Sequence, residues 1–477
     1  MKKAFDLKAI FHPVQLTLGS CWKTILLFSL PIIVSYLLQQ VYSISDAAIV
    51  GQTLTADEVA GVTDTTPLVF VFLQFAFGSS AGFCAVTSCR VGTHDDQGVR
   101  RSLATQFVLS TVLTVVLTAL ALALLNPMLA WINVTPDSPA VYNAAHTYCM
   151  IIFSGIGAQL FYNFICSFLR AMGDSVTPLM FLLFSTVLNV GLDLLFILSF
   201  GWGVAGAAIA TVLAQLISTV ACFLYAFSRY PELRLHREDF AITKSDLSQH
   251  IAQGVPLGLQ FSVLSVGIIT MQSVVVQFDM QAGLIVSNAA QNGFGAANKL
   301  HMLTMTPLNA FGTALTSFTA QNLGAGKYDR IKQGTYACMF IGILYCVLFV
   351  LIAQFGTRYL ALLFMNADEA ANVMDYTQQL SVAFAYATPL LLAVNVLRLS
   401  IQGMGYSRLS LISGLLEMLA RTVVSLWAVP AFGFDAACLA SPFAWLLADC
   451  FLIPAFYGCL NARRRQAARV RQELPSE

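Results

Sequence analysis

The chain has little charge for its length. Asp, Glu, Lys and Arg make up 10% of its 477 residues and the formal net charge is +1, whereas a soluble domain is about 25% charged. Hydrophobic residues account for 57%. This composition excludes an ordinary soluble domain and offers no overall charge that would attract nucleic acid. We therefore predict a membrane protein that crosses the bilayer many times.

The motifs of several enzyme classes are also missing. The 11 cysteines form no metal-type CxxC pair and the six histidines lie far apart, which argues against a zinc centre and against a grouped nucleophile and base. The run GAGKY at 324–328 lacks the upstream glycine and the Ser or Thr of a nucleotide-binding loop. We expect no enzymatic activity and no cofactor. Transport would be driven by an ion gradient, by a partner or by the substrate's own gradient.

Long apolar runs are abundant instead. A helix needs about 20 predominantly apolar residues to cross a bilayer, and twelve runs reach that length. They predict an all-α polytopic membrane protein with twelve transmembrane helices. The runs cover residues 24–50, 59–89, 102–125, 142–169, 176–200, 203–227, 251–278, 284–322, 334–355, 377–401, 408–430 and 436–459.

The basic residues indicate the orientation of these helices. The N-terminus, the connections after even-numbered helices and the C-terminal tail hold 22 of the 25 Lys and Arg residues, Arg398 being counted with the connection after helix ten. By the positive-inside rule both termini are predicted to be cytoplasmic. The short loops favour a bacterial inner membrane as the location.

The longest connection, which is charged, divides the helices into two groups of six. We predict a cytoplasmic N-terminus at 1–23, an N-lobe at 24–227, a cytoplasmic linker at 228–250, a C-lobe at 251–459 and a basic cytoplasmic tail at 460–477.

The two lobes resemble each other in sequence. Gly92 matches Gly324, and the word AMGDS at 171–175 matches GMGYS at 403–407, at one constant offset along the chain. This repeat offset spans an even number of helices, so the two copies have the same orientation. We expect them to be related by a pseudo-two-fold axis along the membrane normal, with a cavity between the lobes.

One carboxylate in the first apolar run needs a function. Asp46 stands in the stretch QQVYSISDAAIVG at 39–51, and an ionised Asp at the centre of a membrane helix costs about 2.5–3.5 kcal/mol on insertion scales. Helix five carries Asn189 and Asp193, which are four residues apart and therefore on one helical face. Counting the helical rise from the helix ends places Thr211 of helix six at a similar depth.

These four residues are predicted to form an acidic site in the N-lobe alone. At the repeat offset, Arg421 and Ser425 stand where the N-lobe has Asn189 and Asp193, so the second carboxylate has no counterpart. Two carboxylates close together in a low-dielectric site repel, so the pair is expected to hold a proton. The same oxygens could instead bind a hard cation such as Na⁺. The alternative for each residue is a hydrogen bond between helices.

Other polar residues in the apolar runs are weaker candidates. Glu417 and Arg421 are four apart with Glu first, which favours a structural ion pair within helix eleven. Asp64 opens helix two and is interpreted as a solvated residue. Additional candidates for a cavity lining are Gln39, Tyr42, Asn163, Gln260, Asn292, Asn298 and Asp449.

Several motifs together resemble the multidrug and toxic compound extrusion (MATE) family. The similarity covers residues 20–460, and it is specific only when the motifs are taken together. They are the Asp before AAIVG in helix one, RAMGDSVTP at 170–178, NVGLDLLFI at 189–197, GVAGAAIAT at 203–211 and QNLGAGKYDR at 321–330.

The resemblance implies a place for the coupling ion. In the branch that includes bacterial DinF-like and MepA-like members the N-lobe carries an ion site, and the matching positions here are Asp46, Asn189, Asp193 and Thr211, with Asn163 as a further matching position. Another branch uses a Glu in helix seven and an Asp in helix ten. This chain has no acid between Pro256 and Gln277, so a C-lobe ion site is not expected.

The function implied is antiport by alternating access. A lipophilic, often cationic drug would leave in exchange for H⁺ or Na⁺, and the expected partners are small lipophilic molecules and the bilayer, with no nucleic acid and a monomeric state. A flippase for a lipid-linked oligosaccharide is the alternative within the same superfamily. A lipid-modifying membrane enzyme and a passive channel are the alternatives from other classes.

Overall fold

The structure is a computed structural model of the chain. It describes residues 13–132, 134–230, 233–281, 284–285, 289–361 and 367–473. Fourteen α-helices lie in these ranges: α1 (Cys21–Thr53), α2 (Ala56–Gly92), α3 (Asp96–Trp131), α4 (Pro139–Ser154), α5 (Ile156–Ala171), α6 (Val176–Asp193), α7 (Gly203–Arg229), α8 (Lys244–Val275), α9 (Ala289–Gly324), α10 (Tyr328–Ala361), α11 (Ala367–Gly403), α12 (Ser407–Val423), α13 (Val429–Phe432) and α14 (Phe434–Glu473).

Short elements complete the described chain. Leu194–Ser199 and Val424–Ala428 are π-helical segments, and Arg237–Phe240 and Val276–Asp279 are 3₁₀ turns. Strands β1 (Met280–Gln281) and β2 (Leu284–Ile285) form an antiparallel pair in which Met280 lies opposite Ile285. The tip of this hairpin, within the predicted connection between helices seven and eight, lies outside the described residues.

The helices follow the predicted runs and have the properties of membrane spans. Within the described ranges, nine helices are long and apolar enough to cross a membrane, and α4 with α5, bent by 44° at Gly155, makes a tenth. The predicted runs seven and eight are occupied by α8 and α9. Large apolar side chains point outward: Val115 on α3, Val187 on α6 and Phe355 on α10 are 64%, 66% and 74% exposed. The all-α polytopic class is confirmed.

Local sequence explains where the first helices begin. Thr55 and Glu58 form a capping box at the start of α2, in which the Thr55 N–H donates to the Glu58 carboxylate at 2.9 Å. The Asp95 carboxylate accepts a hydrogen bond from the Gly98 N–H at 2.8 Å and so caps α3.

The internal repeat is present in the backbone as well as in the sequence. Gly173 and Gly405, which match each other at the repeat offset, both have φ of 89°. His94 and Gly326 match at the same offset and have φ of 56° and 69°. A non-glycine residue rarely adopts positive φ, so His94 shows that the turn itself is maintained in the first half even where glycine is absent.

The turn between α5 and α6 is fixed by two residues of the AMGDS word. A Cβ on Gly173 would lie 2.4 Å from the Val14 carbonyl oxygen, so glycine is required for space as well as for φ. The Asp174 carboxylate accepts hydrogen bonds from the Thr177 N–H at 3.0 Å, the Thr177 hydroxyl at 2.6 Å and the Tyr230 hydroxyl at 2.7 Å. Asp174 therefore ties the start of α6 to the end of α7.

The chain forms two compact units. Of the described residues, the first unit contains 13–17 and those of Leu27–Ser262, and the second contains Leu18–Leu26 and those that follow Ser262. The largest core of the first unit packs α2, α3, α4, α5 and α7 around Phe72 and Phe153, whose ring centroids are 5.2 Å apart. In the second unit, Trp445 of α14 is buried and packs against α9 and α11.

Helices α2 and α8 approach each other closely within the first unit. Each carries two glycines four residues apart, Gly78 and Gly82 on α2 and Gly254 and Gly258 on α8. A Cβ on Gly254 would lie 2.1 Å from Cε1 of the buried Phe83 ring. Small residues at this spacing let membrane helices pack backbone to backbone, a signal that the length of an apolar run does not capture.

A buried histidine lies where α8 meets the cytoplasmic ends predicted for α2 and α3. His250 is fully buried, its Nδ1 donates to the Asp246 carbonyl at 2.7 Å, and its Nε2 lies 2.7 Å from the Ser102 hydroxyl. Because the carbonyl can only accept, Nδ1 carries the proton and Nε2 of the neutral ring accepts from Ser102. Burial lowers the pKa of His250, which lies outside the predicted span 251–278, to about 4.

Candidate ion-coupling site

Helix α1 supplies one carboxyl group and one phenol to the same face. Tyr42 and Asp46 are four residues apart, which aligns their side chains on a helix. Both are partly buried. The Tyr42 phenol lies within hydrogen-bonding reach of the Thr211 hydroxyl on α7. Asp46 is thus directed from α1 toward α6 and α7 within the first unit.

Helix α6 supplies the second carboxyl group at its last residue. Asn189 and Asp193 are 1% and 0% exposed, and the π-helical segment Leu194–Ser199 follows immediately. Single π turns inside helices occur frequently at functional sites. The second half of the chain has its own π segment, Val424–Ala428, at the matching position.

The four residues predicted from sequence meet in one place. The carboxyl groups of Asp46 and Asp193 lie within hydrogen-bonding reach of each other, and the Asn189 side-chain N–H donates to the Thr211 hydroxyl at 3.5 Å. No N–H or hydroxyl group of the described residues donates to either oxygen of Asp193, nor to the Asn189 side-chain oxygen. These three buried oxygens are available for a proton or a cation.

One residue of the site was missed by the sequence analysis. Tyr148 on α4 lies near enough to Asp46 and Asp193 for their charges to act on its phenol. Nothing in the sequence distinguishes it from the other aromatic residues of an apolar helix, because α4 is joined to this site by packing and not by spacing along the chain.

Comparison with known proteins identifies the family. The MatE family model matches the chain twice, over residues 31–195 and 264–427. The chain belongs to the MatE family. The model matches once in each half, as the internal repeat predicts, and the predicted MATE membership is confirmed.

The relatives and solved structures extend this result. This MatE protein is 32% identical over 321 residues to the probable multidrug resistance protein YpnP of Bacillus subtilis, covering 66% of this chain and 68% of YpnP. It is 24% identical over 361 residues to the FAD transporter of Shewanella oneidensis, covering 74% and 76% of the two chains. A solved outward-facing multidrug resistance MATE family transporter superposes with a TM-score of 0.84 at 20% identity, covering 95% of this chain and 99% of the other. This last likeness shows that the fold is shared.

Among the additional cavity candidates of the first unit, Tyr42 lies near the carboxyl pair, and the others differ in their burial. Asn163 is buried in α5, where its side-chain oxygen accepts a hydrogen bond from Gln159 at 3.4 Å. Gln39 is exposed on α1 and Gln260 is buried on α8. Asp64 is exposed, as the sequence analysis expected.

In the second unit, neither of the two α9 asparagines predicted to line a cavity is buried. Asn292 is exposed and Asn298 is half-buried. Asp449 on α14 is different, because it is 4% exposed and none of the described residues forms a hydrogen bond with either of its oxygens.

The predicted ion pair of α12 is part of a larger arrangement. Glu417 and Arg421 approach to 3.3 Å, and Glu417 is also paired with Arg398 of α11. Counting Arg398 as a residue of a cytoplasmic connection was therefore wrong: it lies inside α11 and is 5% exposed. Counting basic residues along the chain does not reveal an ion pair with a residue on another helix.

The oxygen atoms of the candidate site can bind a proton, and they are also of the kind that Na⁺ prefers. Hard cations prefer carboxylate, amide and hydroxyl oxygens, which Asp46, Asp193, Asn189 and Thr211 supply. No group of three or more His, Cys, Asp or Glu residues arranged for a metal occurs among the described residues. A site with two carboxyl groups in mutual reach needs only one proton to become stable, since two ionised carboxylates at that separation repel.

Proposed function

We propose that this MatE protein is a cation-coupled antiporter that exports small lipophilic compounds, often cationic, by alternating access. The observation that carries the proposal is the close approach of two carboxyl groups, that of Asp46, which is partly buried on α1, and that of Asp193, which is buried on α6. Relatives named as multidrug resistance proteins and as a multidrug export protein support the class of substrate. The coupling ion is H⁺ or Na⁺.

The coupling follows from the chemistry of the pair. When the two carboxyl groups share a proton they stay together, and when the proton leaves, their repulsion favours separation of α1 from α6. Occupancy of the pair therefore biases one arrangement of the first unit over another. Ion and drug weaken each other's binding if they prefer different arrangements, which is a negative coupling free energy. Na⁺ bridging the same oxygens would act in the same direction.

The cellular setting belongs to the same proposal. We place the protein in a bacterial inner membrane as a monomer with both termini in the cytoplasm, in accordance with the distribution of basic residues. Its partners are the bilayer and lipophilic small molecules.

The flippase alternative receives no support from the buried arginines. A cavity for a diphosphate needs cations that are free to bind the phosphate oxygens. Arg398 and Arg421 are both paired with Glu417, so both guanidinium groups are already engaged with a carboxylate, although the three side chains together keep a formal charge of +1.

Transport into everted vesicles, in which an exporter moves its substrate inward, tests the proposal. Ethidium or norfloxacin uptake would be driven by a pH gradient and, separately, by a Na⁺ gradient, in the wild type and in Asp46→Asn and Asp193→Asn. Each variant keeps the shape of the residue and removes its ability to ionise. We expect gradient-driven transport to be lost in both variants, and the gradient that drives the wild type identifies the ion.

Asp137→Asn is the matched control. Asp137 is an exposed carboxylate in the loop between α3 and α4, where it accepts a hydrogen bond from Thr135 at 3.0 Å that an amide oxygen can also accept. Its transport should equal that of the wild type. Undiminished gradient-driven efflux in Asp46→Asn would refute coupling at this pair.

A further inference from the structure

The second unit contains a buried cluster of charges that the proposed function does not use. Arg398 of α11 and Glu417 and Arg421 of α12 are 5%, 3% and 7% exposed. Arg398 Nη2 pairs with Oε1 of Glu417 and its Nε donates to the Ser413 hydroxyl at 3.1 Å. Arg421 pairs with the other oxygen, Oε2, at 3.3 Å. Glu417 therefore holds two arginines, one on each oxygen.

Asp449 of α14 is the member of this region that lacks a partner. Its side chain is buried, and within the described ranges neither Oδ1 nor Oδ2 forms a hydrogen bond. Arg398 is the cation whose charge acts on it. An ionised carboxylate that is buried without hydrogen-bond donors is strongly destabilised. The arrangement described here therefore suits a neutral Asp449 that carries a proton.

The surroundings of Asp449 contain few other titratable groups. Helix α14 packs against α11, α12, α13 and the π segment Val424–Ala428; α13 and the π segment have no titratable residue. One helical turn before Asp449, Trp445 stacks on His301 of α9, with ring centroids 5.6 Å apart. Among the described residues, the charged and titratable groups found in this region are Arg398 from α11, Glu417 and Arg421 from α12, and His301 from α9.

We propose that Asp449 is a second proton-binding site, located in the second unit, and that Arg398 changes its partner when the proton leaves. With Asp449 protonated, both arginines share Glu417 and the cluster carries a formal charge of +1. With Asp449 ionised, Arg398 pairs with Asp449, Arg421 keeps Glu417, and the formal charge is zero. Each state gives every ionised carboxylate at least one arginine, so the cluster has two stable arrangements of the same side chains.

The second proton changes what the transporter can use as a driving force, a consequence that rests on the proposed function. Exchange of a monovalent cationic drug for one proton moves no net charge across the membrane. Exchange for two protons moves one charge, so transport would respond to the membrane potential as well as to the pH gradient. Protonation of Asp449 also makes the cluster positive, which disfavours a cationic substrate nearby.

Infrared spectroscopy of the purified protein tests the proton site without any transport. A protonated carboxylic acid has a C=O stretching band that is separate from the carboxylate bands, so a pH titration reports each buried acid. We expect Asp449→Asn to lose one such band that the wild type shows, and Asp46→Asn to keep that band. Asp435→Asn, which removes an exposed carboxylate in the first turn of the same helix, should leave it unchanged.

A second variant tests the exchange of partners. Glu417→Gln removes the competing carboxylate, so Arg398 becomes available to Asp449, and the Asp449 band should be smaller than in the wild type at the same pH. Asp449→Glu serves if Asp449→Asn does not fold, because it should move the band without abolishing it.

The outcomes separate this inference from the proposed function. A carboxylic acid band that is identical in the wild type and in Asp449→Asn would overturn the second proton-binding site. A band that is unchanged by Glu417→Gln would overturn the exchange of partners by Arg398. Neither result would affect gradient-driven efflux through Asp46 and Asp193. Conversely, failure of efflux to depend on Asp46 would leave the infrared result standing.

Discussion

Replacing Asp174 by Ala tests how the turn between α5 and α6 stabilises the first unit. Asp174 accepts two backbone N–H groups at the start of α6, from Val176 at 3.1 Å and Thr177 at 3.0 Å, and the hydroxyl of Tyr230 at 2.7 Å. Loss of a side chain that caps a helix costs about 0.5–2 kcal/mol. The Tyr230 hydroxyl, on a residue that is 8% exposed, would also lose its partner, at a cost of about 1–3 kcal/mol.

Together these terms lower the free energy of unfolding by roughly 2–4 kcal/mol. For a unit of this size, about 2–4 °C of midpoint shift accompanies each kcal/mol, so the thermal midpoint should fall by roughly 4–16 °C. Two milder variants separate the contribution of the Tyr230 contact from that of the helix cap. Tyr230→Phe removes only the hydroxyl contact and should cost about 1 kcal/mol, and Asp174→Asn keeps one oxygen acceptor and should fall between Tyr230→Phe and Asp174→Ala.

The buried cysteines provide the assay. Cys149, Cys166 and Cys222 are free thiols with 0%, 4% and 0% exposure in the first unit, so a thiol-reactive fluorophore reports their exposure when the detergent-solubilised protein is heated. An Asp174→Ala protein that unfolds within 1 °C of the wild type, taking the precision of such an assay as about 1 °C, would refute the assignment of Asp174 as the link between α6 and α7.

Three further predictions follow from the first unit. The pKa of His250 in the folded state is about 4, whereas its ordinary value is about 6.5. The neutral ring therefore contributes about 3 kcal/mol of stability, which is fully present above pH 6.5 and is lost as the pH falls toward 4. Thermal melting at a series of pH values should show this loss, and His250→Gln should make the melting temperature less dependent on pH. Gly254→Ala forces a methyl group into the Phe83 ring and should lower the free energy of unfolding by about 1–3 kcal/mol. Gly51→Ala should be neutral or stabilising, because a Cβ added there would have no neighbouring atom within 4 Å. Equal melting temperatures of the two variants would contradict the close packing of α2 on α8. Tyr148→Phe should reduce gradient-driven efflux, because it removes a hydroxyl that interacts electrostatically with the carboxyl pair. Tyr142→Phe on the same helix, whose hydroxyl contacts Asn126 at 3.3 Å, should leave efflux unchanged. Equal efflux in both variants would exclude a role for Tyr148.

The two halves of the protein show different limits of sequence reasoning. In the first half, Asn189 and Asp193 could be placed on one face from their spacing, because a helix has a fixed period. In the second half, the same rule found Glu417 and Arg421, but it could not find Arg398, which reaches Glu417 from another helix. The turns recur at matching positions of both halves, since backbone conformation at Gly173 and Gly405 depends on local sterics.

The sequence alone determined the order of the apolar runs, the duplication and the choice of Asp46, Asp193, Asn189 and Thr211. Apolar run length, helical period and the cost of a buried charge can all be read along the chain. Only the tertiary structure decided which side chains meet. It placed Tyr148 within electrostatic reach of the carboxyl pair, buried Arg398 against Glu417 and left Asp449 without a hydrogen-bond partner among the described residues. The physical reason is that contacts between helices depend on the packing of side chains that are distant in sequence, and no periodicity along one helix encodes them.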